Sequence, residues 1–262
     1  MKKKILSIIL SVATVVSALS VGSMTAFAGG WVSSAYNVNL NTTYSESVDS
    51  TDAYDDGYYF DVVKFTLPAK GKINIKLTSE DTDIVKYMDS GDCRMNIYKT
   101  SNTERYLWSS DSNRISDGYN AGLGYYYGNY SATLPKGTYY LVFTFGDYYE
   151  NNSYDFKLTY TPSFSRTSIR KTSTTKKDQI RVDWDKCANV SGYQVQYSRN
   201  KNMKNAKRIT AKGSNNYSRT IKNLSSKKKY YVRVRTYKTV KVNGKNKTYY
   251  SKWSSKKSVT TR

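Results

Sequence analysis

No histidine occurs anywhere in the 262 residues. That absence excludes Ser-His-Asp and Cys-His catalytic pairs, histidine-ligated zinc and any imidazole proton shuttle. The two cysteines, Cys93 and Cys187, are too few for a structural zinc site. Catalysis would have to rest on paired carboxylates or a Ser-Lys dyad. A carboxylate-dependent glycoside hydrolase therefore stays open as an alternative, but we assign no catalytic, cofactor-binding or metal residue and expect no cofactor. Proline (3) and glycine (15) are too scarce for a disordered low-complexity chain. After the first apolar stretch no second run is long enough to span a membrane.

That first stretch reads as an export signal. Lys2, Lys3 and Lys4 open the chain, apolar residues run from Ile5 to about Val21, and Ala26-Phe27-Ala28 supplies a small-x-small cleavage pattern. A retained membrane anchor is the other reading, opposed by Ser7, Ser11, Ser17 and Ser20 inside the run. We expect residues 1–28 to be removed and the protein to be secreted, extracellular or associated with the cell surface. In that setting a Cys93–Cys187 disulfide competes with two lone thiols, and the wide sequence separation favours the thiols. Without disulfides the core must hold the fold, and 27 Tyr and 4 Trp provide the packing area.

Charge divides the rest of the chain. Residues 29–162 carry 11 Lys+Arg against 17 Asp+Glu, a balance of −6. Residues 163–262 carry 28 against 3, a balance of +25, and contain no glutamate. So sharp a change predicts a domain boundary, placed in the linker Thr161-Pro162-Ser163-Phe164-Ser165-Arg166.

In the first part, 29–162, apolar residues alternate with polar ones. Val63, Phe65 and Leu67 precede Pro68-Ala69-Lys70-Gly71, and Ile73, Ile75 and Leu77 follow on an expected return strand. Leu134-Pro135-Lys136-Gly137 repeats the phrase before Thr138–Phe145. Met95–Tyr98, Tyr106–Trp108 and the Tyr154, Phe156, Leu158, Tyr160 series add further strands. No long helical period appears, so an all-β sandwich or jelly roll is expected. The series Asp61 to Leu67, "Ile-x-Ile-x-Leu", "Met-x-Ile-Tyr", "Leu-Pro-x-Gly-x-Tyr-Tyr-Leu" and "Tyr-x-Phe-x-Leu-x-Tyr" resembles the bacterial pre-peptidase C-terminal domain family over about Val38 to Tyr160. The resemblance implies a jelly-roll-like accessory module used for binding or export, some members of which bind Ca²⁺.

Two groups here could carry chemistry. Asp49, Asp52, Asp55, Asp56, Asp61, Asp81, Asp83, Asp89 and Asp92 offer hard oxygens suited to Ca²⁺, yet no calcium-loop spacing links them, and solvated acidic loops are the plainer reading. Tyr125-Tyr126-Tyr127, in an expected loop rich in Gly and Asn, and Trp108 could stack on sugar rings. Packing across the sandwich edge is the simpler account of the same rings.

The second part, 163–262, is more tightly patterned. Ile180, Val182 and Trp184 alternate with Arg181 and Asp183; Tyr193, Val195 and Tyr197 share one face; Tyr230, Val232 and Val234 share another. Asn243-Gly244 is a strong two-residue hairpin signal, and Trp253 and Val259 are expected to close the last strand. Trp184, the Leu224-to-Tyr230 spacing of a tyrosine corner, and Tyr231-Val-Arg-Val-Arg-Thr-Tyr237 resemble the fibronectin type III domain, as found in secreted proteins of Gram-positive bacteria. The resemblance implies a second, immunoglobulin-like sandwich whose aromatic landmarks are core residues, with the Tyr230 phenol bonded to backbone.

No Arg-Gly-Asp tripeptide occurs. What remains is charge: Lys204–Arg208, Lys227-Lys228-Lys229, Lys238–Lys247 and Lys256-Lys257, with Arg233 and Arg235 projecting outward beside them. We expect a non-catalytic binding or adhesion protein that engages anionic cell-wall polymers or glycans. A structural spacer for a protein partner is the other non-enzymatic reading, and specific nucleic-acid recognition is not expected.

Overall fold

The structure is a computed structural model, which describes residues 35–49, 53–55, 58–86, 88, 93–99, 108–109, 114–120, 124–146, 152–174 and 176–262. The expected leader lies outside them, as do Tyr106 and Leu107. In chain order the first part forms β1 (Tyr36–Asn37), β2 (Thr43–Ser47), β3 (Ala53–Asp55), β4 (Tyr58–Leu67) and β5 (Gly71–Ser79). The short helix α1 (Thr82–Lys86) precedes β6 (Cys93–Tyr98), β7 (Trp108–Ser109), β8 (Arg114–Asn120), β9 (Tyr125–Leu134), β10 (Gly137–Gly146) and β11 (Ser153–Pro162). Among the described residues no helix is long and apolar enough to cross a membrane.

These strands make two sheets, β1-β4-β10-β6-β7 with β3 beside β4, and β2-β11-β5-β9-β8. Alternation drives their apposition. Val63, Phe65 and Leu67 of one sheet and Ile73, Ile75 and Leu77 of the other are buried in one core with Phe143, Phe156 and Tyr139. Each such side chain taken from water contributes roughly 1.5–3 kcal/mol. The expected return strand is therefore a correction: β4 and β5 do not pair but lie in opposite sheets. The same holds for β9 and β10. Both phrases, Leu67–Gly71 and Leu134–Gly137, are corners that carry the chain across the core, because a fixed proline φ without an N–H breaks the ladder.

Tyrosine phenols fasten these corners. Tyr160 Oη donates to the Ala69 carbonyl at 3.0 Å, and Tyr139 Oη donates to the Pro135 carbonyl at 2.9 Å. Two further phenols bolt one sheet to the other. Tyr154 on β11 donates to Asp61 Oδ2 on β4 at 2.5 Å, and Tyr36 on β1 donates to Glu46 on β2. Burial first, then the neighbouring carboxylate, pushes the Tyr36 and Tyr154 phenols well above the ordinary value. Burial pushes Tyr160 up to about 12.

The second part forms β12 (Ile169–Ser173), β13 (Ile180–Trp184), β14 (Gly192–Ser198), β15 (Lys207–Lys212), β16 (Ser218–Ile221), β17 (Lys229–Val242), β18 (Lys245–Tyr250) and β19 (Lys257–Thr260). A three-stranded sheet, β12-β13-β16, faces the sheet β15-β14-β17-β18, with β19 also on β17. Trp184, Tyr193, Val195, Val232 and Val234 fill their shared core with no exposed surface. Here too phenols meet backbone. Tyr230 Oη accepts from the Ser225 N–H at 3.0 Å, while Tyr193 Oη accepts from the Cys187 N–H and donates to the Ser214 carbonyl. Trp253 departs from expectation, since it precedes β19 rather than lying in it. Cys93 and Cys187 are free and buried, one in each sandwich.

Thr161 and Pro162 of the expected linker belong to β11. The two sandwiches exchange no strand but do touch. Residues 238–242 of β17 run beyond β14 and pair only with β18, forming an arm. Val240 and Val242 on that arm are buried with the first core, and Tyr249 meets Tyr160 edge-on at 6.2 Å. At its tip Asn243 (φ 48°) and Gly244 (φ 77°) make the turn. The Asn243 amide brackets Leu40: Nδ2 donates to its carbonyl at 2.7 Å and Oδ1 accepts from its N–H at 3.1 Å.

Two outcomes follow from this architecture. Unfolded tyrosine ionises near pH ~10, below the folded values, so the protonated phenols stabilise the fold fully below that pH and lose this contribution as pH rises through the folded values. Circular dichroism and tyrosinate absorbance should therefore change together above pH ~10; ionisation of the buried phenols with the sheet signal intact would contradict this. Second, Asn243→Gly keeps the left-handed turn but removes both amide bonds, at about 1 kcal/mol each. Calorimetry of the full chain should then resolve two transitions where the parent shows coupled unfolding.

Candidate functional site

The strongest concentration of functional groups lies on the outer face of the β15-β14-β17-β18 sheet. Alternation along β17 buries Tyr230, Val232, Val234 and Thr236 and turns Lys229, Tyr231, Arg233, Arg235 and Tyr237 outward. On β14 the register sets Gln196 opposite Arg233 and Gln194 opposite Arg235. Each glutamine holds its arginine. Arg233 Nε donates to Gln196 Oε1 at 2.7 Å, and Arg235 donates to Gln194 Oε1 through Nε (3.0 Å) and Nη2 (2.6 Å).

Aromatic rings complete the mounting. The Arg233 and Arg235 guanidiniums lie 4.7 and 4.3 Å from the Trp253 ring centre, and Arg235 lies 3.8 Å from that of Tyr250. Tyr237 packs against Tyr250 at 6.2 Å and over Gly192. A Cβ at Gly192, where φ is +153°, would sit 2.8 Å from the Tyr237 ring and 2.3 Å from the Ala211 carbonyl, so this approach requires glycine. Arg208, on β15 opposite Gln196, adds a third guanidinium. Burial, and then repulsion from Arg208, lowers the Arg233 pKa from its ordinary value. Burial does the same at Arg235, where the Tyr250 phenol partly offsets it. Both remain charged at any physiological pH.

Among the described residues no carboxylate is paired with these arginines. The domain's three acids, Asp178, Asp183 and Asp185, lie on or beside β13 in the opposite sheet. Asp183 pairs with Arg181 (3.0 Å) and Asp185 with Arg170 (3.8 Å). The acids of this sandwich are thus gathered about β13, a distribution that net charge alone does not reveal.

Of the expected lysines, Lys229 joins the stripe, its ammonium 5.7 Å from the Tyr231 ring. Lys227 and Lys228 sit in the turn before β17, where their N–H groups bond Arg262 and Thr261. Lys256 and Lys257 are drawn to the carbonyls of Lys201 and Arg170.

The tyrosine triplet is not in a loop. Tyr125, Tyr126 and Tyr127 open β9: all three pair with β8, and Tyr126 and Tyr127 pair with β5 as well. Lys76 on β5 lies 5.3 and 5.9 Å from the Tyr125 and Tyr127 rings, whereas Tyr126 packs against the first core. Trp108 is on β7 in the other sheet, so the structure does not join it to the triplet.

Among the described residues no three Asp, Glu or Cys groups gather where they could hold a metal ion. Asp61 is bonded to Tyr154, Asp49 accepts from Ser47, Asp55 lies on β3, Asp81 directly precedes α1, and Asp83 is in α1. Asp52, Asp56, Asp89 and Asp92 lie outside the described residues. A cleft of about 320 Å³ beside Asn243 is lined by Lys64, Lys241 and amide side chains, without a carboxylate or thiol.

No protein-family profile matches the chain, and no curated protein is similar to it in sequence. Solved structures resemble parts of it. The fibronectin type III domain of human contactin 1 is 21% identical, with 38% of this chain and 79% of that one covered and a TM-score of 0.31. The pre-peptidase C-terminal domain of a collagenase from Bacillus anthracis is 17% identical, covering 48% and 94% with a TM-score of 0.32. A fibronectin type III domain of human collagen XX is 20% identical, covering 38% and 92% with a TM-score of 0.27. Such sandwiches host many unrelated functions, so the ligand must be argued from the face itself.

Trp253→Ala removes two cation–π contacts, together about 1–2 kcal/mol. Urea unfolding of the full chain should show a correspondingly lower midpoint for the second sandwich. An unchanged midpoint would mean that the indole does not support the arginines.

Proposed function

We propose that this chain is an exported, non-catalytic binding protein whose second sandwich engages anionic polymers of a cell wall or glycans bearing anionic groups. The carrying observation is the acid-free outer face on which Arg208, Arg233 and Arg235 converge. Three like charges on a sheet with no carboxylate among them are stabilised by an anion from outside. The glutamine and indole mounts fix two of the guanidiniums in advance, which lowers the ordering cost of binding. The absence of histidine, and the commitment of Asp61 and Glu46 to phenols inside the first sandwich, support a non-catalytic role. In this reading the arm that ends at Asn243 sets the acidic first sandwich at a defined position beside the basic one.

Retention of the mature chain on purified wall polymers and sulfated glycans, across a salt series, tests the proposal. Binding is expected at low and physiological salt, with Arg233→Ala/Arg235→Ala reducing the salt slope by about two charges. Tyr125→Ala/Tyr127→Ala should leave it unchanged. Loss with the tyrosine variant alone would move the site to the first sandwich, and no retention on any polyanion would overturn the proposal.

A further inference from the structure

The same face carries more than charge. Resting on the binding role above, we infer that it is built for one chemical class, a linear phosphodiester polymer without bases, read by Arg233 and Arg235 as a pair. Two residues apart on a strand, their side chains emerge about 6.5–7 Å from each other. That spacing suits successive phosphates along an extended chain. Arg208, two strands over from Arg233, lies roughly 10 Å to the side, where it can meet a polymer that bends across the sheet.

The fixed spacing of the two arginines favours phosphodiester over sugar-acid polymers. Hyaluronan carries one carboxylate per disaccharide, too widely separated to meet both arginines at once, whereas the guanidinium fork itself suits either oxyanion. A guanidinium presents a planar fork that bonds two oxygens of one phosphate, whereas an ammonium acts as a point charge. Arg233 spends only Nε on Gln196, leaving both terminal amino groups, and Arg235 leaves Nη1. The lysines near this face contribute less geometry, since Lys256 and Lys257 already bond carbonyls. Selectivity should therefore reside in the two arginines, and bulk attraction in the domain as a whole.

The aromatic rings argue against nucleic acid as the occupant. Single strands are held largely by bases stacked on free ring faces. Here Arg233 and Arg235 lie against Trp253 and Arg235 lies against Tyr250, so each ring keeps at most one face for a base, although Tyr250 is 47% exposed. A polymer such as poly(glycerol phosphate) needs no such faces, and its phosphates can meet the remaining amino groups of Arg233 and Arg235 directly.

The test compares binding of the full mature chain to poly(glycerol phosphate), to hyaluronan as a carboxylate polymer and to single-stranded DNA, at about 150 mM salt. The parent is expected to prefer poly(glycerol phosphate) to hyaluronan by about tenfold or more, a difference of at least ~1.4 kcal/mol, and to bind DNA less tightly. Arg233→Lys/Arg235→Lys keeps every charge and should abolish that preference while retaining salt-sensitive binding, with near-ultraviolet circular dichroism confirming the fold. Persistence of the preference in the lysine variant, equal binding of hyaluronan, or tighter binding of DNA would overturn the phosphodiester assignment and leave polyanion binding standing. Failure of all three polymers to bind would remove the broader reading as well.

Discussion

The buried phenol is the interaction on which this molecule depends. Tyrosine brings a large apolar ring and one hydroxyl that must find a partner once it leaves water. Here the partners are structural. Tyr139 and Tyr160 fasten the two sheet-crossing corners, Tyr154 and Tyr36 join opposite sheets through Asp61 and Glu46, and Tyr193 and Tyr230 hold backbone turns in the second sandwich. With both cysteines free, these bonds supply the cross-ties that a disulfide would otherwise supply. Each couples hydrophobic burial to a directional contact, and so fixes which strands meet as well as how much area they bury.

The arginine-bearing face uses the opposite side of the same alternation. While Tyr230, Val232 and Val234 anchor β17 inward, Arg233 and Arg235 stand outward, and the pairing with β14 supplies a glutamine to each. The core therefore positions the site: a one-residue slip of β17 would bury the arginines and expose the valines. Concentration of the three carboxylates about β13 leaves this face uniformly basic. The hairpin arm links that surface to the first sandwich through Val240, Val242 and Asn243, so the two halves form one interface-bearing unit.

Much of this was legible in the sequence. Alternation located the strands and their inward residues; Trp184 and the Leu224–Tyr230 spacing marked the second sandwich, and Asn243-Gly244 marked its hairpin. Alternation reports which side of a strand is buried but not which sheet it joins, so the corners at Pro68 and Pro135 read as hairpins. The Tyr125–Tyr127 triplet read as a loop because its neighbouring Gly and Asn residues are turn formers, although pairing on both sides makes it strand. Outward Arg233 and Arg235 were visible. Their mounts were not, since Gln194, Gln196, Tyr250 and Trp253 reach them only through cross-strand register and a segment outside any strand. Nor could the sequence show that Asn243 serves as a clamp on Leu40 as well as a turn residue.

The most direct measurement is nuclear magnetic resonance of the arginine Nε–H groups during titration of the full mature chain with poly(glycerol phosphate). The Arg233 and Arg235 signals should be narrow and protected before ligand is added, because glutamine and indole already hold them, and both should shift together on binding. Arg170 and Arg181, paired with acids on the opposite sheet, should not move. Unshifted Arg233 and Arg235 signals alongside saturable binding would place the ligand elsewhere and contradict the account.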